Sequence, residues 1–152
     1  MTFYFLDTSV LVKRYHVEAG SSKVAMVLAE PDSTHFISRL GLVEAVSAFA
    51  LKVREGQIQV SDFSAYRKRL LADVRNRTIS VVRVRVAHFK QADQLLQRHG
   101  TTVKLRTLDS LQLATALDLR ARAMLDHFVC ADVNLCKIAA AEGLSVINPE
   151  TP

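Results

Sequence analysis

Tryptophan is absent from this 152-residue chain, and cysteine (2), proline (3) and glycine (5) are scarce. Two cysteines make no disulfide framework, and the interval between Cys130 and Cys136 matches no usual zinc spacing, so both read as reduced core thiols. With so little proline and glycine there is no linker, repeat or low-complexity tract, and one domain spanning 1–152 is expected. Long apolar runs are missing as well. The longest nearly uncharged stretch, Ile37 to Leu51, is interrupted by Arg39 and Glu44, whereas a membrane span needs roughly 20 mostly apolar residues. Met1 to Leu6 shows neither the basic nor the apolar region of a secretory signal. No membrane association and a cytoplasmic location are the expectations.

What is present is a composition 49% hydrophobic and 23% charged, that of an ordinary globular domain. A chain of this size buries roughly 68–70% of its unfolded surface, so it folds without a metal or disulfide staple. Any metal therefore serves function. The formal net charge of +5 is unevenly spread. From Arg67 to Lys90, Arg67, Lys68, Arg69, Arg75, Arg77, Arg83, Arg85 and Lys90 face Asp73 alone. Such a surface attracts polyanions, although a solvated helix face followed by an exposed strand reads the same way.

Apolar runs and turn residues alternate along the chain. Strands are expected at Phe3–Leu6, Thr34–Ser38, Ile79–Val84, Phe128–Ala131 and Ser145–Ile147. Helices are expected at Thr8–Tyr15, Ser22–Glu30, about Leu40–Arg54, Ser61–Asn76, Ala87–Arg98, Thr107–Arg122 and Val133–Glu142. Strands alternating with helices imply an α/β fold, a three-layer α/β/α sandwich around a central, mostly parallel sheet. Right-handed crossovers place every strand's carboxyl end along one edge, where ligands bind in folds of this class.

Four acids point to that edge. Asp7 follows the first strand and Asp132 the fourth, while Glu44 and Asp109 fall early in helices. Singly, each fits an N-cap or an acid complementing the helix dipole. Together they repel, and Ser, Thr or Asn would cap equally well. A divalent cation removes the repulsion. Oxygen ligands without histidine or cysteine favour Mg²⁺ or Mn²⁺, which can activate water and neutralise charge on a phosphodiester.

At these residues the chain resembles the PIN-domain nucleases, and among them the VapC toxins of prokaryotic VapBC toxin–antitoxin systems. The resemblance is carried by Phe5-Leu6-Asp7-Thr8-Ser9-Val10-Leu11-Val12, by Leu42-Val43-Glu44-Ala45-Val46, and by Leu108-Asp109-Ser110-Leu111-Gln112-Leu113-Ala114. Its last part is Phe128-Val129-Cys130-Ala131-Asp132 with Leu135 and Gly143-Leu144. It implies a Mg²⁺- or Mn²⁺-dependent endoribonuclease acting on single-stranded regions of RNA, inhibited by a VapB-like antitoxin and assembled as a homodimer. Asp7, Glu44, Asp109 and Asp132 match the family's catalytic, metal-binding acids, Asp7 and Asp109 foremost, and Ser9 matches a supporting hydroxyl. Cys130 stands where many relatives carry Thr, which puts one supporting hydrogen bond in doubt. Gln112 stands where His or an apolar residue is common.

With RNA as the polyanion, Arg75, Arg77, Arg83 and Arg85 are the expected phosphate contacts. Helices between Thr8 and Arg54 carry more apolar residues (Val10, Leu11, Tyr15, Val24, Met26, Val27, Leu28, Val46, Phe49, Leu51) than one sheet face covers. A groove for an amphipathic antitoxin segment is one outlet for that surplus; internal packing or a homodimer interface is the other. Met26 and Phe49 occupy core-like positions, Asp118 and Asp126 read as solvated, and the five histidines as surface or packing residues. A phosphotransferase of the haloacid-dehalogenase type would carry a second acid where Ser9 stands. A PIN-domain RNA-processing nuclease without antitoxin, or an inactive RNA-binding module, remains the alternative reading.

Overall fold

The computed structural model describes residues 1–152. Five parallel strands lie in the order β3-β2-β1-β4-β5: β1 (Thr2–Leu6), β2 (Ser33–Ser38), β3 (Ser80–Val82), β4 (His127–Val129) and β5 (Val146–Ile147). Helices α1 (Thr8–Leu11), α2 (Ser21–Leu28), α3 (Arg39–Arg54) and α4 (Val60–Arg75) precede β3, and α1 continues as a 3₁₀ turn, Val12–Arg14. Helices α5 (Val86–His99), α6 (Thr107–Ala121) and α7 (Val133–Ala141) follow it.

The pleat of β1 explains the layers. Successive side chains point to opposite faces, so Phe5 joins Phe36, Phe128 and the apolar sides of α5, α6 and α7. Tyr4 and Leu6 join Ile37, Val129 and helices α1 to α4. The sheet is thus covered on both faces, which is why its strands read as continuous apolar runs. This is the expected three-layer α/β/α sandwich.

The order of strands fixes where a ligand can sit. The chain leaves β1 toward β2 and β3, then returns to place β4 on the other side of β1. Open α/β sheets bind ligands at such a reversal, outside the carboxyl ends of the strands. Asp7 directly follows β1, and Asp132 lies three residues beyond the end of β4, so both flank that point.

Several local expectations are corrected. The strand expected at Ile79–Val84 is limited to Ser80–Val82, because β3 is an edge strand paired only with Phe36–Ser38 of β2. Met26 is 73% exposed, on the outer face of α2, while Phe49 is fully buried as expected. Asp118 accepts from His88 Nε2 at 3.1 Å and pairs with Arg122 at 2.8 Å, and is not a merely solvated acid. Most of the apolar surplus packs internally: Val10, Leu11, Tyr15, Val24 and Phe49 are buried, and Val27, Leu28 and Val46 pack against them. Leu51 stays exposed, as does Val43 eight residues before it on the same helix. No helix is long and apolar enough to cross a membrane.

Candidate functional site: an acidic cleft at the carboxyl edge

Asp7 and Asp132 turn out to be caps and something more. Asp7 caps α1 through one oxygen: Oδ2 accepts from the Ser9 backbone N–H at 3.1 Å and from the Ser9 hydroxyl at 2.6 Å. Its other oxygen, Oδ1, is buried and has no hydrogen-bond partner. Asp132 caps α7 in the same divided manner, Oδ1 accepting from Leu135 N–H at 2.9 Å. A cap explains one oxygen of each carboxylate and leaves the second available.

Glu44 and Asp109 reach the same cleft from α3 and α6. Ser38 ends β2 and caps α3, accepting from Gly41 N–H at 3.1 Å and donating to Gln112 Oε1 at 2.6 Å. Gln112, fully buried on α6, passes the link on: its amide donates to Glu44 Oε1 at 2.8 Å and to Thr8 Oγ1 at 3.1 Å. Asp109 accepts from Arg106 Nε at 2.8 Å. All four acids line one cleft of about 740 Å³, together with Ser9, Arg106 and Leu108.

The electrostatics of the cleft are strained in one direction. Burial pushes the Asp7 carboxyl above its ordinary range, and repulsion from Asp109 adds to this against the bonds from Ser9. Burial also raises Glu44; the Gln112 amide opposes it, while Asp7 and Asp109 reinforce it. Arg106 is held more firmly protonated, first by its bond to Asp109 and further by Asp132 and Asp7. Cys130 stays a neutral thiol, raised by its bond to Cys136 and by burial.

The residues present fit a divalent cation by two tests. A buried carboxylate oxygen without a donor is costly, and Asp7 Oδ1 is such an atom. The cleft's lining also offers carboxylates and hydroxyls with no histidine or cysteine, the donor set of a hard cation. No three acidic, histidine or cysteine side chains stand together as a closed ligand set; Asp109 is bonded to Arg106 and Glu44 to Gln112.

The sequence-expected residues divide. Asp7, Glu44, Asp109, Asp132 and Ser9 share the cleft. At Cys130, Sγ lies 3.9 Å from Asp7 Oδ2, and the Ser9 hydroxyl that bonds the same oxygen also accepts from Ala131 N–H at 3.1 Å. Arg83 and Arg85 follow β3 and emerge at the carboxyl edge, whereas Arg75 and Arg77 precede it and lie at the amino edge, opposite the acids. Arg106 and Gln112 were missed as site residues. A cation opening a helix opposes the macrodipole, and a glutamine amid Leu111, Leu113 and Ala114 is buried only if bonded; both were legible signals.

A PIN domain family model matches residues 4–146. No curated protein matches the chain by sequence. Among solved structures, the chain is similar to VapC20 of Mycobacterium tuberculosis, described as a Sarcin-Ricin loop cleaving toxin, with 19% identity, 97% of this chain and 98% of that chain covered, and a TM-score of 0.66. FitAcB from Neisseria gonorrhoeae is similar at 17% identity, with 96% and 97% covered and a TM-score of 0.63. VapBC2 from Rickettsia felis, solved bound to a DNA fragment from its promoter, is similar at 15% identity, with 95% and 97% covered and a TM-score of 0.62.

Proposed function

The chain belongs to the PIN domain family, and from that premise we propose that it is a Mg²⁺- or Mn²⁺-dependent endoribonuclease, the toxin of a type II toxin–antitoxin pair. The observation that carries the reading is the convergence of Asp7, Glu44, Asp109 and Asp132 on one cleft, with Asp7 Oδ1 buried and unpartnered. Asp7, Asp109, Asp132 and Glu44 would hold the cation. When bound, the cation would lower the pKa of water and neutralise charge on a phosphodiester in an in-line displacement.

The chain's own residues do the positioning. Ser9 holds Asp7 through Oδ2 and leaves Oδ1 without a donor. Gln112 holds Glu44 and, through Ser38, ties its helix to β2. Arg106 neutralises Asp109 and supplies a guanidinium beside the acids for a substrate phosphate. Phosphate contacts from Arg83 and Arg85 are consistent with their place at this edge; Arg75 and Arg77 lie at the other edge.

A VapB-like antitoxin is the proposed inhibitor, since Val43, Ala48, Leu51 and Leu108 give the cleft an apolar wall beside its acids, suited to an amphipathic segment carrying a basic side chain. Homodimerisation and a cytoplasmic site of action belong to the same proposal. The test is cleavage of single-stranded RNA by the purified chain. Activity should appear with Mg²⁺ or Mn²⁺ and vanish in EDTA; undiminished cleavage in excess EDTA refutes the metal role. An inert protein in every metal tried would favour the RNA-binding alternative.

A further inference from the structure

The carboxyl edge carries a second hollow, of about 370 Å³, lined by Arg39, Leu40, Arg83 and Val84. Its charge follows from the register. Phe36 pairs with Ser80, Ile37 with Val81 and Ser38 with Val82, so the next residue on each chain is an arginine, and the two leave the sheet side by side. Neighbouring strands lie about 4.8 Å apart, and like charges so placed repel. Arg39 is also the first residue of α3, where the helix dipole disfavours a cation.

No carboxylate relieves either residue. Arg14, Arg98, Arg106 and Arg122 each have an acidic partner within ion-pair distance; Arg39 and Arg83 have none and are exposed. Between them the floor is apolar, formed by Leu40 and Val84, which pack onto the core beneath. Two arginines beside an apolar floor match a phosphate bearing a sugar and base. Glu44 lies five residues further along α3, about 7.5 Å of helix rise, so a strand crossing the acids can reach this hollow with a neighbouring nucleotide.

We propose that Arg39 and Arg83 form a phosphate subsite for the RNA strand flanking the cleavage point, with Leu40 and Val84 beneath the attached nucleoside. The subsite rests on the ribonuclease reading above and adds to it a residue, Arg39, and a direction for the strand, from the acids toward β3. It also explains an edge whose paired arginines would otherwise only cost stability.

The experiment measures anisotropy of a labelled single-stranded oligoribonucleotide against salt in EDTA, with the full chain. One phosphate contact on a single strand contributes about 0.7 to the log–log slope. Arg39→Gln/Arg83→Gln should flatten the slope by about that amount, and Arg39→Lys/Arg83→Lys should restore it. Arg75→Gln/Arg77→Gln should leave it unchanged. Without RNA, the Gln/Gln variant should melt no lower than the unaltered chain, since repulsion is removed; a lower melting temperature would show that the arginines have a structural role and overturn the subsite. A protein that binds RNA with the same slope in the Gln/Gln variant overturns the subsite alone. An unaltered chain that does not bind RNA overturns the subsite together with the ribonuclease reading.

Discussion

Two sets of carboxylates are treated in opposite ways: Asp7 and Glu44 of the proposed site, and Asp73, Glu18 and Glu142, of which Glu18 lines the same cleft but is paired with two lysines. Asp73, on α4, accepts from Arg14 Nε (2.8 Å), Arg14 Nη2 (3.1 Å) and the Tyr15 hydroxyl (2.8 Å). Glu18 is met by Lys13 and Lys52, each at 3.2 Å, and Glu142 by Arg98 and His99. In all three, burial works against ionisation and the partners outweigh it, holding the carboxyl below its ordinary range. In the cleft, Asp7 and Glu44 are raised. The protein has cations enough, with a net charge of +5, but does not spend them on Asp7. Asp109 is paired with Arg106, but Asp7 keeps a buried oxygen without a donor and Glu44 is held by the neutral Gln112 amide, the pattern expected of carboxylates that receive a ligand.

The sharpest way to break this contrast is to neutralise one acid of each kind. Asp7→Asn, or Asp109→Asn, should lower metal-dependent RNA cleavage by about a hundredfold or more, since losing even a residue that orients a ligand costs about 10–100-fold. The melting temperature of metal-free Asp7→Asn should stay level or rise, because Asn can still accept from Ser9 while the repulsion with Asp109 goes. Wild-type cleavage by either variant would remove that residue from the ligand set.

Asp73→Ala should do the reverse, leaving the cleft's chemistry in place and lowering stability. Hydrogen bonds to a charged group contribute about 1.5–3 kcal/mol each, and two residues lose their acceptor, so a loss of about 2–3 kcal/mol is expected. For a domain of this size that lowers the melting temperature by roughly 4–12 °C, readable by calorimetry. An unchanged melting temperature would mean these pairs are ornamental.

Gln112→Ala joins the two classes, because Gln112 is buried like a core residue yet bonded to Glu44. Leaving Ser38 and Thr8 without their partner should cost about 1–3 kcal/mol. Without the amide, Glu44 should titrate higher still. Carboxyl NMR of Glu44 checks the second expectation; an unmoved resonance would show that Gln112 does not tune it.

The smallest effect is the response to pH. Asp7 and Glu44 have folded-state pKa values above their unfolded ones, so their ionised forms cost the metal-free fold stability near neutrality. That cost is relieved as pH falls through the raised values toward the ordinary carboxylate range near about 4. Asp73, Glu18 and Glu142 have depressed values, so their stabilisation is present above that range and is lost as pH falls through the folded pKa. Metal-free stability should therefore rise modestly as pH falls from neutrality toward the ordinary carboxylate range and decline below it. The rise should shrink in Asp7→Asn, as denaturant titrations across pH would show.

Much of this division was legible in the sequence. The apolar run Phe3–Leu6 ending at Asp7, and Phe128–Val129 followed closely by Asp132, placed two acids at one edge because a parallel sheet leaves no other choice. Strand order was not legible, since no local pattern says that β4 returns beside β1 and not beside β3. Nor was the split of the basic segment. Arg75, Arg77, Arg83 and Arg85 are neighbours in sequence, but the three residues of β3 carry the chain from one sheet edge to the other between them. Met26 misled because helical spacing marks a face without saying which face meets the core. Asp118 did so because one of its partners, His88, comes from a different helix, 30 residues away in sequence.

The central claim is that Asp7 and Glu44 are under-partnered because a divalent cation completes them. Calorimetric melting of the unaltered chain and of Asp7→Asn, each with EDTA and with saturating Mn²⁺, tests it without reference to RNA. At 100 times its dissociation constant a bound ion contributes about 2.7 kcal/mol, a rise of roughly 5–11 °C for a domain of this size. The account predicts that rise in the unaltered chain and little or none in Asp7→Asn. Equal melting temperatures with and without Mn²⁺ in the unaltered chain, or an equal rise in both proteins, would contradict it.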